Sequence, residues 1–137
     1  MIWDPVLKAT AGYSFHETIE LPVNILSTLD LITPNYNEYQ QLGFKKLKKN
    51  CAVLLKGGHR EEDRGTDVLF FNGTEYKIYG EEFKNKHDKH GTGCVFSSAV
   101  AAYISKGYNV IEACKQAKKY VEMIILSNNG KLGYHKI

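Results

Sequence analysis

The sequence predicts an α/β fold, with a mainly parallel sheet, flanking helices and one β-hairpin. The unbroken apolar run at residues 51–55 is typical of a strand that a parallel sheet buries on both faces. Strands of this kind alternate along the chain with segments of helical pattern, as they do in βα units. The residues Asn72-Gly73-Thr74, between two segments rich in apolar and aromatic residues, indicate the hairpin.

Turn-forming residues divide the first half of the chain into short elements. Asn35 has the character of a helix cap, with Glu38 at the third helical position. Gly43 interrupts the helix that these residues begin. In order, the predicted elements are a strand end before Asp4-Pro5, a loop at 10–15, a short helix broken around Pro22 at 17–28, a strand at 29–33, a helix at 35–42, a segment at 45–50 that leads to the next strand, and the strand at 51–55.

The second half begins with the hairpin and continues into two longer helices. Asn109 has the character of a cap for the second of these helices. In order, the predicted elements are a charged loop at 60–65, hairpin strands at 66–71 and 75–79, a polar loop at 83–89, helices at 93–105 and 110–127, and a tail at 131–137. A chain of 137 residues corresponds to about one domain and is able to bury its own core.

The composition excludes several classes of protein. It is that of an ordinary globular protein, with 43% hydrophobic and 24% charged residues and a modest net charge of +3. Lysine clusters at 45–49 and 115–119 lack the interleaved aromatic residues with which single-strand binders stack bases. They are typical of solvated helix faces, and we expect no nucleic-acid partner.

The cysteines and the apolar segments indicate the compartment. Cys51, Cys94 and Cys114 are an odd number of widely spaced residues without a C-x-x-C pair, so neither a disulfide framework nor a zinc site is predicted. No apolar stretch approaches the roughly 18 residues of a membrane span. The start of the chain lacks the basic region and apolar core of a signal peptide. We therefore expect a cytoplasmic protein with reduced thiols and no membrane partner.

Polar groups follow each strand of the predicted parallel sheet, at the edge where ligands bind in such folds. Asp4, the segment 33–38 and Lys56 stand at these strand ends. Taken singly, Asp4 before a proline has the alternative role of a turn former, and Asn35 with Glu38 that of a helix cap. Together, acids and a lysine at one edge favour a nucleotide–magnesium site. Carboxylates hold Mg²⁺ directly or through water, and a lysine neutralises phosphate charge.

The segment 89–94 is a glycine-rich turn that leads directly into a long helix. Helix N-termini expose unpaired N–H groups and a partial positive charge, and Gly91 and Gly93 allow a ligand to approach closely. The turn is therefore a candidate site for a phosphate or for a phosphoryl group in transfer. Cys94 lies where a thiolate is favoured. The alternative is an ordinary loop with glycines for packing and a small buried cysteine.

Four strings occur in a characteristic order: Asp4-Pro5-Val6-Leu7, Leu31-Ile32-Thr33-Pro34-Asn35 with Glu38 three residues on, Val53-Leu54-Leu55-Lys56-Gly57-Gly58-His59, and His90-Gly91-Thr92-Gly93-Cys94. Together they resemble the hydroxymethylpyrimidine/phosphomethylpyrimidine kinases of thiamine biosynthesis, in the ribokinase-like superfamily. The resemblance covers almost the whole chain but only the C-terminal half of the family's proteins. It implies that residues 1–137 are a partial ribokinase-like kinase domain whose N-terminal half is absent.

The resemblance implies a reaction and the residues that catalyse it. The reaction is ATP-dependent phosphoryl transfer to the hydroxymethyl group of 4-amino-5-hydroxymethyl-2-methylpyrimidine and to its monophosphate. Gly91, Thr92 and Gly93 match the family's anion-hole motif. Cys94 matches the position of the catalytic base or proton shuttle.

The same resemblance implies ATP and Mg²⁺ as cofactors and the residues that bind them. Asn35 and Glu38 match an Asn-x-x-Glu motif that acts through magnesium-bound water and phosphate. Asp4 and Thr33 match positions near the ATP phosphates and the metal, so that Glu38 and Asp4 are the candidate metal residues. Lys56 matches a lysine that contacts ATP phosphate.

The chain also departs from the family pattern. Lys89 stands where the family commonly has a threonine, and its charge is expected either to perturb the loop or to face solvent. The family's pyrimidine pocket comes mainly from the N-terminal half, so we expect weak or absent activity in isolation. We also expect homo-oligomers, or pairing with the missing half. His90 is expected to be a loop or packing residue rather than a second base, and Cys51 and Cys114 to pack in the core.

Two other functions remain open at this stage. A pyridoxal-type kinase has the same Gly-Thr-Gly-Cys turn. A non-catalytic remnant, or a nucleotide-binding module that functions by pairing with another chain, would retain the same motifs without turnover.

Overall fold

A computed structural model describes residues 1–7, 22–57, 65–80 and 89–135, without the side chains of residues 44–46. The chain forms two compact units, Met1–Lys77 and Ile78–Ile137. Within the described ranges, no helix combines the length and the apolar character needed to cross a membrane. The predicted loops at 10–15 and 60–65 lie largely or wholly outside the described residues, as does most of the polar loop at 83–89.

The first unit is built on a five-stranded sheet with the strand order β1-β2-β3-β4-β5. Its strands are β1 (Ile2–Trp3), β2 (Leu31–Ile32), β3 (Ala52–Leu55), β4 (Asp67–Phe71) and β5 (Thr74–Ile78). β1, β2 and β3 are parallel, with Ile2 beside Leu31 and Ile32 beside Val53. β4 runs antiparallel to β3. The α/β prediction is confirmed, and the sheet is mixed because the hairpin is added to its parallel part.

The hairpin turn has the backbone conformation that its sequence favours. Asn72 and Gly73 both have positive φ angles, 49° and 75°. Two consecutive residues of this kind form the tight turn that matches the right-handed twist of the flanking strands. Thr74, predicted as part of the turn, is already the first residue of β5.

The described part of the first unit contains three short helices, namely α1 (Val23–Leu26), α2 (Tyr36–Leu42) and α3 (Phe44–Asn50). α1 begins directly after Pro22, so only the end of the predicted broken helix is observed among the described residues. α3 occupies the segment predicted to lead to the next strand, whose lysines are typical of a solvated helix face, and Leu47 is fully buried in it. The helices and strands share an apolar core formed by Leu26, Leu29, Ile32, Leu42, Leu47, Val53, Leu55 and Val68, among others.

The second unit contains two longer helices that pack against each other, α4 (Thr92–Ser105) and α5 (Val110–Leu126). Their buried positions are mainly small or β-branched, which allows close packing: Ala99, Val100, Ala113, Cys114, Ala117 and Val121. Asn109 caps α5 by accepting a hydrogen bond from the Glu112 backbone N–H at 2.9 Å, as predicted. α4 begins one residue earlier than expected, at Thr92.

Candidate functional site

Three predicted site residues follow the parallel strands of the first unit. Asp4 stands just beyond β1, Thr33 beyond β2 and Lys56 beyond β3. Because the three strands are parallel neighbours, their carboxyl ends share one edge of the sheet. Residues far apart in the sequence thereby meet at the edge where open α/β sheets bind ligands.

Side-chain contacts join these three residues. Lys56 Nζ donates to Asp4 Oδ1 at 2.8 Å, and the two side chains are only 18% and 15% exposed. Thr33 Oγ1 donates to the same carboxylate oxygen at 3.4 Å, and Thr33 is fully buried. We refer to Asp4, Thr33 and Lys56 as the strand-end cluster.

The second carboxylate oxygen of Asp4 remains open. Asp4 Oδ2 is buried and has no hydrogen-bond partner among the residues that the structure describes. A buried carboxylate oxygen is costly to leave without a donor or a cation. The arrangement therefore fits a cation, or a ligand donor, next to Asp4 Oδ2.

The helix cap predicted at Asn35 lies beside the strand-end cluster. Asn35 Oδ1 accepts from the Glu38 backbone N–H at 3.0 Å, and Glu38 Oε2 accepts from the Asn35 backbone N–H at 2.7 Å, which is a complete capping box. The backbones of Asn35 and Lys56 form a parallel bridge, and the Lys56 N–H donates to Pro34 O at 2.9 Å. Asn35 and Glu38 are thus both observed to cap α2. The phosphate contact expected of the Asn-x-x-Glu motif would lie at the same position.

Protein carboxylates alone do not form a metal cage here. The described part of the chain contains no group of three or more His, Cys, Asp or Glu side chains that could hold a metal ion. Mg²⁺ usually keeps several waters and binds through one or two carboxylates together with substrate phosphates. Asp4, with its open oxygen, fits that pattern, and Glu38, which contacts Asn35 through Oε2, is the second candidate.

Asp67 is a buried acid beside the segment after Lys56 that the sequence did not single out. Its Oδ1 accepts from the Gly57 backbone N–H at 2.8 Å, and Asp67 is buried. A Cβ added at Gly57 would lie 1.8 Å from Thr66 O, so only glycine allows this approach of two backbones. Asp67 therefore positions the segment that follows Lys56. An acidic residue at the first position of an apolar strand was the available signal. Gly58 and His59 lie outside the described residues.

The predicted anion turn lies in the second unit and begins α4. Gly91 is the N-cap residue, in the left-handed conformation with φ 78° and ψ 4°, and no side chain caps the helix through it. α2 and α5, in contrast, have asparagine side chains at their N-caps. The Val95 N–H donates to Gly91 O at 3.0 Å, which leaves the earlier amides of the turn outside the helical hydrogen-bond pattern.

The cysteines differ in exposure. Cys94 is exposed, which contradicts the alternative of a small buried cysteine in the turn. Cys114 is buried in α5. Cys51 is half-buried against the core of the first unit, and this burial raises the pKa of its thiol. Of the three thiols, Cys94 is therefore the most accessible.

Lys89 and His90 precede the turn. Lys89 is buried, so the expectation that its charge faces solvent is wrong. Its Nζ donates to oxygens of Asn128 and Gly130. His90 is an exposed loop residue whose backbone N–H donates to Lys131 O at 2.9 Å.

An open groove of about 560 Å³ lies elsewhere in the first unit. Tyr36, Tyr39 and Phe70 line it, among others, and none of the strand-end cluster does. Burial, reinforced by the charge of Glu75, raises the pKa of Tyr39 well above its usual range. The groove is aromatic rather than cationic, so it lacks the charge that phosphate binding requires.

Comparison with known proteins identifies the family. A family model described as phosphomethylpyrimidine kinase matches residues 1–136. The chain belongs to the phosphomethylpyrimidine kinase family. This membership confirms the resemblance that the four sequence strings indicate.

Relatives in this family are considerably longer than the chain. It is 33% identical over 138 residues to the bifunctional thiamine biosynthesis protein ThiDN of Methanocaldococcus jannaschii, covering 98% of the chain and 33% of that protein. It is 32% identical to the hydroxymethylpyrimidine/phosphomethylpyrimidine kinase of Aquifex aeolicus, covering 97% of the chain and 58% of the relative. It is also 32% identical to the Staphylococcus aureus (strain MSSA476) kinase of the same description, covering 89% of the chain and 51% of that relative. The chain thus spans between a third and somewhat over half of these relatives.

Solved structures similar to the chain are ribokinase-like kinases. The pyridoxal kinase from Staphylococcus aureus in complex with AMP-PCP and pyridoxal has a TM-score of 0.67 at 26% identity, covering 83% of the chain and 50% of that structure. The ribokinase of Arabidopsis thaliana complexed with ribose and ATP has a TM-score of 0.64 at 20% identity, covering 90% of the chain and 40% of that structure. The second likeness shows the fold alone.

Proposed function

We propose that this chain provides the ATP- and magnesium-binding part of a kinase of thiamine biosynthesis. The substrate is 4-amino-5-hydroxymethyl-2-methylpyrimidine and its monophosphate, and the hydroxymethyl group accepts the phosphoryl group. The observation that carries the proposal is the strand-end cluster: Asp4, Thr33 and Lys56 meet at a ligand-binding edge, with Asp4 Oδ2 left open, in a chain of this family.

The strand-end cluster supports a role in holding the triphosphate. The Lys56 ammonium, held by Asp4 at 2.8 Å, supplies positive charge for the phosphate oxygens. Thr33 fixes the carboxylate that orients this ammonium. Mg²⁺, held by Asp4 and by Glu38 directly or through water, would neutralise charge on the phosphates. Positioning and charge compensation are the main requirements of phosphoryl transfer.

The turn of the second unit supports a role in the transfer step. The amides of Thr92, Gly93 and Cys94 at the start of α4 would donate to the oxygens of the γ-phosphoryl group. Cys94 is proposed as the base. The substrate hydroxyl proton passes to Cys94 Sγ as the hydroxyl oxygen bonds to the γ-phosphorus, and the bond between that phosphorus and the ADP oxygen breaks.

The experiment is a thermal-unfolding titration of the 137-residue chain with Mg²⁺ and ATP. A ligand at about 100 times its Kd stabilises the folded state by about 2.7 kcal/mol, so a shift in Tm is expected. The Asp4→Asn variant should lose most of the shift. The matched control Asp30→Asn changes an exposed carboxylate and should retain it. A chain whose Tm does not respond to Mg²⁺ and ATP contradicts the proposal and favours a non-catalytic remnant.

A pyridoxal-type kinase is the second candidate, because a pyridoxal kinase is among the similar structures, at a TM-score of 0.67. Side-by-side rates with pyridoxal and with the hydroxymethylpyrimidine separate the two substrates. In a preparation of the complete kinase, the Cys94→Ala variant should abolish turnover with the true substrate and leave nucleotide binding largely intact. Retained turnover contradicts the assignment of Cys94 as the base.

We also propose that activity requires pairing, either in a homo-oligomer or with a polypeptide that carries the remaining part of the kinase. This is supported by the partial coverage of the relatives and by the position of β1 at the edge of the sheet that the described strands form, where a strand can be added. Light scattering tests self-association, and a clean monomer contradicts the homo-oligomer. The proposed compartment is the cytoplasm, where the three thiols remain reduced.

A further inference from the structure

We propose that Lys89 is a positioning residue, whose buried ammonium group ties the start of the anion turn to the end of α5. The proposal rests on the proposed function, since it takes the Gly91–Cys94 turn to be the phosphoryl-binding element. Lys89 itself is not assigned any contact with substrate or nucleotide.

The ammonium of Lys89 lies in a set of three neutral oxygens. Nζ donates to Asn128 O at 2.7 Å, to Gly130 O at 2.7 Å and to Asn128 Oδ1 at 3.1 Å. A lysine ammonium has three N–H donors, so these acceptors use all of them. Lys89 is only 9% exposed, and no carboxylate of the described residues forms an ion pair with it. The ammonium group of Lys89 is therefore held by hydrogen bonds to a single loop, the one that contains Asn128 and Gly130.

That loop is itself well ordered by hydrogen bonds. Asn128 Oδ1 also accepts from the Gly130 N–H at 2.7 Å, and Asn128 Nδ2 donates to Leu132 O at 2.9 Å. The loop follows α5, whose last carbonyl groups carry partial negative charge. A cation placed there is favoured for the same reason that lysines are favoured at helix C-termini.

The aliphatic stem of Lys89 is closely packed against the region around Gly133. A Cβ added at Gly133 would lie 3.3 Å from Lys89 Cδ and 2.2 Å from Ile124 Cγ2. The absence of a side chain at Gly133 thus leaves room for the lysine stem. Packing of the stem and hydrogen bonding of the ammonium group thus fix the same position for Lys89.

This attachment acts directly on the anion turn. Lys89 is two residues before Gly91, and the intervening His90 N–H donates to Lys131 O at 2.9 Å. α4 lacks a side-chain cap at Gly91, so the direction of its first amides depends on the residues that precede the glycine. Two successive residues before Gly91 are bound to the loop after α5. The loop after α5 thereby fixes the orientation of the backbone amides at the start of α4, which are proposed to face the phosphate.

The test compares Lys89→Met with the matched control Lys131→Met in the 137-residue chain. Methionine keeps most of the stem and removes the donors, whereas Lys131 is exposed and interacts with His90 only through its backbone oxygen. Amide hydrogen exchange of His90 and Val95, whose N–H groups donate to Lys131 O and Gly91 O, is the readout. We expect exchange at least about tenfold faster in Lys89→Met, and no change in Lys131→Met. Unchanged exchange in Lys89→Met overturns the proposal.

Chemical rescue separates hydrogen bonding from mere packing. Ammonium chloride should restore protection in Lys89→Met, because ammonium donates to the same oxygens. Tetramethylammonium chloride at equal ionic strength should not, because it has no N–H donor. Equal responses to the two salts overturn the role of the ammonium group.

A second variant covers the case in which Lys89→Met does not fold. Asn128→Ala keeps the lysine and removes one of its three acceptors, so a smaller loss of protection at His90 is expected, without rescue by ammonium. Unchanged protection in Asn128→Ala overturns the proposal. Exchange is measured without nucleotide, so it decides the role of Lys89 even if the chain does not bind ATP. In any preparation that phosphorylates its substrate, Lys89→Met should lower kcat about tenfold, leave the KM for ATP within about twofold, and respond to ammonium.

Discussion

Lys56 Nζ and Asp4 Oδ1, 52 positions apart in the sequence, form an ion pair of 2.8 Å at the carboxyl edge of the sheet. The pair is mostly buried, with side-chain exposures of 18% and 15%. Removing one partner of such a pair leaves the other charge poorly solvated and without compensation. The relationship therefore links the stability of the first unit to the proposed ligand site.

The first prediction concerns this pair. Lys56→Met should lower the free energy of unfolding by about 2 kcal/mol, because Asp4 loses a charged hydrogen-bond partner. It should also reduce the stabilisation of the chain by Mg²⁺ and ATP. Urea denaturation with and without nucleotide measures both effects. Lys115→Met, which changes a half-exposed lysine 4.0 Å from Glu112, is the control and should change neither appreciably. A nucleotide response unaffected by Lys56→Met contradicts the assignment.

The second prediction separates helix capping from ligand binding. The side chains of Asn35 and Asn109 each accept from the N3 backbone N–H of their helix, α2 or α5, at 3.0 Å and 2.9 Å. Alanine at either position should cost about 1 kcal/mol of stability, because one backbone donor loses its acceptor. Only Asn35→Ala should weaken nucleotide binding, as measured by calorimetric titration. Equal nucleotide affinities in the two variants would show that the Asn-x-x-Glu motif only caps the helix and does not bind the nucleotide.

The third prediction concerns the contact between Gly57 and Thr66. Gly57→Ala places a Cβ 1.8 Å from Thr66 O, a backbone atom that cannot move without disturbing β4. The expected destabilisation is on the order of 3 kcal/mol. The control Gly73→Ala has open space but a positive φ of 75°, and should cost about 1–2 kcal/mol. Thermal and urea unfolding give the comparison. Gly57→Ala no less stable than Gly73→Ala would show that the two backbones are not in contact.

The fourth prediction concerns alkaline pH. Burial raises the pKa of Tyr39 above its ordinary value of 10.0, so above that pH the unfolded chain releases a proton that the folded chain retains. The contribution of this pKa difference to the free energy of unfolding is fully present below pH 10.0. It is lost as pH rises toward the pKa of Tyr39 in the folded chain. Burial also raises the pKa of the Cys51 thiol, so the titration of Cys51 lowers the free energy of unfolding in the same way at lower pH.

Tyr39→Phe should therefore flatten the fall of unfolding free energy above pH 10.0. The control is Tyr134→Phe, which changes a residue that is 67% exposed and should leave the slope unchanged. Urea denaturation between neutral pH and the alkaline limit of folding measures the slope. Identical slopes in wild type and Tyr39→Phe contradict the assignment of this linkage to Tyr39.

The fifth prediction concerns thiol reactivity. Cys94 is exposed, Cys51 is half-buried with a raised pKa, and Cys114 is buried. Iodoacetamide should alkylate Cys94 first and Cys51 slowly, because the thiolate is the reactive form, and should reach Cys114 only on unfolding. Peptide mass spectrometry gives the order. Mg²⁺ and ATP should slow alkylation at Cys94 and leave the rate at Cys51 unchanged. Protection of neither thiol would count against placing Cys94 at the nucleotide.

Local chemistry in the sequence determined the elements whose signals are short-range. The capping box at Asn35 and Glu38, the cap at Asn109 and the turn at Asn72-Gly73 are each specified by residues within four positions of one another. The buried strand at Ala52–Leu55 followed from its unbroken apolar run. The order of the four motifs was sufficient to predict the family, which the match over residues 1–136 confirms.

Tertiary structure decided what depends on contacts between distant residues. The pairing of Lys56 with Asp4, the bond from Gly57 to Asp67 and the three acceptors of Lys89 join positions 52, 10 and up to 41 residues apart. No local pattern carries this information, because a lysine before the anion turn has the same sequence signature whether it is solvated or buried. α3 likewise buries Leu47 against the core, a contact that a lysine-rich sequence typical of a solvated helix face does not specify. Propensity and capping act within a turn of backbone, whereas burial and ion pairing exist only once the strands have aligned.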